Sequence, residues 1–216
     1  MTSINDTNGT TSYGYSDPFW RLTSTTDPSS AATNFTYTPT SVESAMNFSS
    51  TSTADTLTNL DGLGRMSITQ RRTQQGSSTF DSVQTRYDAL GRPYEVSSPY
   101  SAGAAGSYGG STWNTAADDA LNRPTSYTDA GSGVISYTYS KNDVLVTVGP
   151  APSGEHSKSR QLEYSGLGQL TSVCEILATG GGACGQNTSA SGFFTSYTYD
   201  VLNDLTAVSQ SGQGRL

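Results

Sequence analysis

The sequence contains a single histidine, in Pro152-Ser153-Gly154-Glu155-His156-Ser157-Lys158. An imidazole can serve as a general base or a metal ligand. A metal site, however, needs several His, Cys or carboxylate groups at ligand spacing, and a hydrolytic triad needs a positioned nucleophile. Neither surrounds His156, which reads as a solvated loop residue. Cys174 and Cys184 are the only cysteines, too few for a structural zinc site. They form either a disulfide across a turned-back hairpin or two separate reduced thiols. The disulfide would contribute about 2–3 kcal/mol by restricting the unfolded chain, and it requires an oxidising compartment. Carboxylates pair at Asp118-Asp119 and around Asp200 and Asp204. A glycosidase needs two carboxyls facing across a cleft, whereas these fall at turns, where capping of backbone amides explains them. Gly103-Ala104-Ala105-Gly106 and Gly180-Gly181-Gly182 follow no strand-to-helix signal and precede no Lys-Ser/Thr, so they are loops rather than phosphate cradles. No catalytic group, metal site or cofactor site is expected. Tyr94, Tyr100, Tyr108 and Trp113 remain as candidate stacking surfaces for a sugar or a partner protein. Packing between strands is the competing reading, and it bears least on the loop residues Tyr108 and Trp113.

The acidic residues lead back to the element that positions them. Thr85-Arg86-Tyr87-Asp88-Ala89-Leu90-Gly91-Arg92-Pro93 reads as strand, turn, strand. Asp opens a type I turn because its carboxylate caps the amides that follow, and Gly suits a left-handed fourth position. The unit recurs at Asp61-Gly62-Leu63-Gly64-Arg65, Asp119-Ala120-Leu121-Asn122-Arg123 and Tyr139-Ser140-Lys141-Asn142-Asp143. It returns at Tyr164-Ser165-Gly166-Leu167-Gly168-Gln169 and Tyr199-Asp200-Val201-Leu202-Asn203-Asp204. Such an interval, irregular between 21 and 35 residues, marks stacked supersecondary units. Where Gly is missing from the fourth position, Asn122, Asn203 and Asp143 are expected to take the left-handed backbone. Tyr13 to Leu22 is a variant unit with one extra residue and Trp20 in the place of Gly.

The flanks alternate with period two: Phe193, Thr195, Tyr197 and Tyr199 share one strand face, and Val144, Val146 and Val148 do the same on a return strand. A lone hairpin is marginal in water, so each unit must lean on its neighbours. The composition agrees: 13% charged, 33% hydrophobic, 23 Gly and 13 Tyr in 216 residues favour strands and turns over helices. The fold class expected is all-β, an array of β-hairpins. Residues 1–56 form a degenerate Ser/Thr-rich region whose first 12 residues are expected to be disordered, and residues 57–216 form the array proper. A net charge of −7, with Arg71-Arg72 the only adjacent basic pair, excludes nucleic acid as a partner. No apolar run approaches the roughly 20 residues of a membrane-spanning helix. The N-terminus has no signal-peptide pattern.

A tyrosine followed by Asp-x-x-Gly-Arg, repeated loosely in series, resembles the YD repeat of Rhs proteins, teneurins and Tc-toxin shell subunits. Tyr87-Asp88-Ala89-Leu90-Gly91-Arg92 and Tyr197-Thr198-Tyr199-Asp200-Val201-Leu202-Asn203 carry the resemblance, supported by the units at Asp61 and Tyr164. Leu60 and Asp118 stand where Tyr is expected, and Gln169 and Asp204 where Arg is. The resemblance implies a strip of hairpins forming part of a spiralling sheet or shell, in a secreted or surface-exposed bacterial protein. Its partners would be the rest of the shell and an enclosed C-terminal effector, with a free-standing glycan- or protein-binding module as the alternative. With about seven units, ending partway into another, the chain is expected to be a segment of such a shell.

Overall fold

The computed structural model describes every residue except 1, 50, 51, 152, 156, 180–183, 185–189, 211, 212 and 216. His156 and the glycine run at 180–182 therefore lie outside the described residues. The chain is all-β, with nineteen strands and no helix among the described residues. It divides into two units, Met1–Asn114 and Thr115–Leu216. The boundary expected at residue 56 falls inside a strand that is paired on both sides.

In the first unit β1 (Ser3–Asp6), β2 (Gly9–Gly14), β3 (Ser24–Thr26), β4 (Ala32–Tyr37) and β5 (Ser41–Ser49) run as an antiparallel meander. It continues through β6 (Ser52–Leu60), β7 (Met66–Arg72), β8 (Phe80–Tyr87) and β9 (Pro93–Ser97). The short β10 (Tyr100–Ala102) returns to pair with the first half of β8. Residues 3–12, expected without order, lie in the β1–β2 hairpin, which runs on to Gly14. The Asp6 carboxylate accepts from the Asn8 amide at 2.7 Å and Gly9 takes φ 121°, which closes the turn. Thr10 and Thr11 then supply β-branched residues suited to an extended backbone.

The buried centre of this unit lies on one face of β7, β8 and β10, where Ile68, Phe80 and Ala102 surround Gln70, Ser82 and Gln84. The Gly-rich segment 103–111 folds onto that face. Gly106 donates its amide to Gln70 Oε1 at 2.5 Å, while Gln70 Nε2 donates to Ser82 Oγ at 3.0 Å. Tyr100 donates its hydroxyl to the Ser107 carbonyl at 3.0 Å.

The second unit is a meander of β11 (Trp113–Asp118, of which it holds Thr115 onward), β12 (Pro124–Thr128), β13 (Val134–Ser140), β14 (Asp143–Gly149) and β15 (Lys158–Tyr164). It continues with β16 (Leu170–Thr179), β17 (Ala190–Tyr199), β18 (Leu205–Gln210) and β19 (Gln213–Arg215). Cross-strand register sorts its side chains into two faces. One carries Tyr137, Val146, Arg160 and Glu175, opposite one another in turn, with Arg160 and Glu175 ion-paired at 2.6 Å. The other carries Gln161 and Cys174, both buried.

Candidate functional site

The same turn chemistry recurs at the loops opened by Asp61, Asp88, Asp119, Ser165 and Asp200. At Asp61 the carbonyl accepts from the Gly64 amide at 3.0 Å and the Asp61 amide donates to the Arg65 carbonyl at 2.8 Å. One carboxylate oxygen accepts from the Leu63 and Arg65 amides, both at 2.9 Å, and the other accepts from Arg65 Nε at 2.7 Å. Asp88 and Asp119 repeat this network with Arg92 and Arg123. Asp17 binds Arg21 through both carboxylate oxygens. Hydrogen bonds from the Arg21 and Arg65 side chains, first of all, hold the Asp17 and Asp61 carboxyls below the usual carboxylate range. For Asp88 and Asp119 the first cause is the backbone amide of Arg92 and Arg123. A neutral version of the turn uses the Ser165 hydroxyl, which accepts from the Leu167 and Gln169 amides. Asp200 caps Leu202 and Asp204, so these acids sit in turn caps.

The fourth turn position is left-handed at Gly64 (φ 77°), Gly91 (84°), Gly168 (79°), Asn122 (62°), Asn203 (72°) and Trp20 (57°). Asp143 does not belong to this set. Its turn is shorter, with Lys141 as the left-handed residue (57°), and Asp143 opens β14 opposite Ser140. Two further turns of the same geometry open at Asp27 and Asp129, with Ser30 (69°) and Ser132 (72°) left-handed. The left-handed position is thus not confined to Gly, Asn and Asp. A carboxylate that bonds both the third and fifth amides holds the backbone whatever follows it.

The residue before the turn has its own function. At Leu60, Tyr87, Asp118, Tyr164 and Tyr199 the strand register shifts by a bulge, which re-aims that side chain. Tyr87 reaches back to the preceding turn: the Arg65 guanidinium lies 4.2 Å from its ring centre, and its hydroxyl donates to the Met66 carbonyl at 2.8 Å. Tyr139 makes the same contacts with Arg123 (4.1 Å) and the Pro124 carbonyl (2.8 Å). Tyr37, not singled out from the sequence, pairs with Arg21 (4.2 Å) and the Leu22 carbonyl (2.9 Å). Tyr199 keeps the hydroxyl contact, to the Leu170 carbonyl at 3.0 Å, while Gln169 in the place of Arg bonds Asn203 instead. The intervening turns are linked by backbone: Leu60 donates to the Thr40 carbonyl, and Tyr164 to the Asn142 carbonyl. Arg21, Arg65 and Arg123 are therefore each shared between their own Asp and a following Tyr. Arg suits this role because a planar guanidinium can fork to a carboxylate and stack on a ring together.

The contacts uncover a longer repeat. Asp17, Arg21, Asp27, Ser30 and Tyr37 recur 102 residues later as Asp119, Arg123, Asp129, Ser132 and Tyr139. Comparing the sequence with itself at that offset finds them.

Among the other candidates, Cys174 and Cys184 are joined, with Cα atoms 5.7 Å apart and both residues fully buried. Trp113 is half-buried, with the Arg86 guanidinium 4.0 Å from its ring centre, and Arg86 also pairs with Glu95 at 2.8 Å. Tyr108 leaves its ring exposed. Among the described residues no helix is long and apolar enough to cross a membrane.

No protein-family model matches the sequence, and no curated protein matches it. Solved structures do. The crystal structure of TcdB2-TccC3 overlaps 96% of this chain with a TM-score of 0.54 at 14% identity. A Photorhabdus luminescens Tc holotoxin pore overlaps 94% of it with a TM-score of 0.38 at 12% identity. The chain spans only 15% and 13% of those chains, respectively. The likeness to TcdB2-TccC3 is one of fold: this chain is an all-β strand array of the kind found within that much larger chain.

Proposed function

We propose that this chain is a non-enzymatic length of YD-repeat strip, of the kind that builds Rhs-type shells, which encloses or spaces an effector domain carried elsewhere in the polypeptide. The observation that carries this reading is the Asp–Arg–Tyr clasp, which fastens one hairpin to another and makes a strip out of units too small to stand alone. A second feature supports it. Phe19, Leu63, Leu90, Leu121, Leu167 and Leu202 all occupy the third turn position, and each is 74% or more exposed. The turns at Asp27 and Asp129 have the same geometry with Ser29 and Gly131 there, so folding of the turn does not require an apolar residue. Recurrent exposed apolar side chains suit a segment built into a larger assembly. The Cys174–Cys184 pairing fits an exported or surface-exposed protein. The reading of a glycan- or protein-binding module rests on the exposed Tyr108 ring, since Trp113 already stacks against Arg86.

Limited proteolysis of the natural full-length protein tests the proposal. Polypeptide flanking the strip should be cut at least about tenfold more slowly in the native protein than after the strip is unfolded. Equal cutting rates would contradict enclosure.

A further inference from the structure

Asp143 is only 3% exposed, and its Oδ1 has no hydrogen-bond partner. It stands directly across the strand pair from Glu163, another carboxylate. Side chains so opposed have Cβ atoms about 4.5–5.5 Å apart, and like charges in that position repel. No Lys or Arg among the described residues pairs with either acid. Lys141 is exposed in the turn, while Lys158 and Arg160 lie on the opposite face and are engaged by Glu155 and Glu175. A buried carboxylate with no partner is costly, and folded proteins offset such groups with a counter-charge or a metal.

The surroundings identify the counter-charge. The register places Ser140, Asp143, Glu163, Ser172, Ser196 and Ser209 in one continuous cross-strand row on the same face. Every member bears oxygen, and Ser172 Oγ donates to Glu163 Oε2 at 3.0 Å, which orients that carboxylate. Ser140 and Ser209 at its two ends are exposed, so the row is open to solvent.

We propose that Asp143 and Glu163 bind a hard divalent cation, calcium, between β14 and β15. An all-oxygen donor set favours hard cations over zinc or copper. Its mixture of carboxylates and hydroxyls suits calcium, which accepts irregular coordination at 2.3–2.6 Å, better than magnesium, which demands a near-ideal octahedron. Two protein carboxylates place the affinity in the class of extracellular modules, with a Kd of about 0.1–1 mM.

Thermal unfolding of the full chain in chelator and in calcium chloride, at constant ionic strength, tests the site. With a Kd near 1 mM, 10 mM calcium favours the folded state about 11-fold and should raise Tm by roughly 3–5 °C. Magnesium at the same concentration should produce a clearly smaller rise. Asp143→Asn, close in shape, should match or exceed the wild-type Tm in chelator and should lose the calcium response. Glu163→Gln should lose the response as well, and it keeps the test available if the first variant folds poorly. Isothermal titration should find one calcium per chain. A wild-type Tm unmoved by 10 mM calcium, or an undiminished rise in both variants, would overturn the proposal.

Discussion

Gly91→Val should destabilise the protein by about 1–3 kcal/mol, while Ala89→Val two positions earlier should cost no more than about 0.5 kcal/mol. Both residues belong to one turn. Gly91 has φ 84°, where a β-branched side chain clashes with its own backbone, and a Cβ there would lie 3.3 Å from Arg65 Nη1. The substitution thus strains the turn and pushes on the guanidinium that stacks against Tyr87. Ala89 is exposed at the second turn position and has no such constraint. Urea unfolding of the two variants side by side makes the comparison, and equal losses would refute the turn geometry.

The second large effect is expected at Gln70. This residue is fully buried and tethers the 103–111 segment through bonds to the Gly106 amide and Ser82, with the Ala104 carbonyl also 3.4 Å from Nε2. Leu approximates its size but satisfies none of those groups. Gln70→Leu should therefore cost about 2–4 kcal/mol, because buried polar groups left unpaired lose their solvation without recompense. Hydrogen exchange at residues 104–110 should accelerate by at least about tenfold as the segment lifts. A loss below about 0.5 kcal/mol with unchanged exchange would mean that the segment is held by something other than Gln70.

The two residues also mark how far the sequence could be read. Gly91 was legible because everything it does is local: an Asp three positions earlier, an Arg directly after, and a backbone only Gly adopts without strain. Gln70 was not, since nothing in a strand of alternating polar residues announces which glutamine a Gly-rich loop will cover. The same stretch reads only as a loop, because the feature that lets Gly106 approach Gln70 is the absence of a side chain. The turns at Asp27 and Asp129 are not legible for a different reason. Their left-handed residues are serines, which the rule favouring Gly and Asn passes over, although the Asp carboxylate supplies most of the turn's hydrogen bonds. Asp143 reads as the left-handed fourth position of a turn because it stands three residues after Ser140, where the other units have Gly or Asn. The two-residue loop instead sends it into β14 and buries it beside Glu163. Tyr87 is legible as part of a repeat but its partner is not, because Arg65 belongs to the preceding turn and the interval between such partners varies with strand length.

That Arg–Tyr contact is the point on which the account depends, and a double-mutant cycle on Arg65 and Tyr87 tests it most directly. Arg65→Met retains much of the aliphatic stem, and Tyr87→Leu removes both the ring face and the hydroxyl that binds the Met66 carbonyl. If turns are fastened to one another by the shared guanidinium, the stability losses should be non-additive, with a coupling energy of about 0.5–2 kcal/mol. Strictly additive losses, with coupling near zero, would mean that the hairpins merely lie side by side and that the clasp does not hold the strip together.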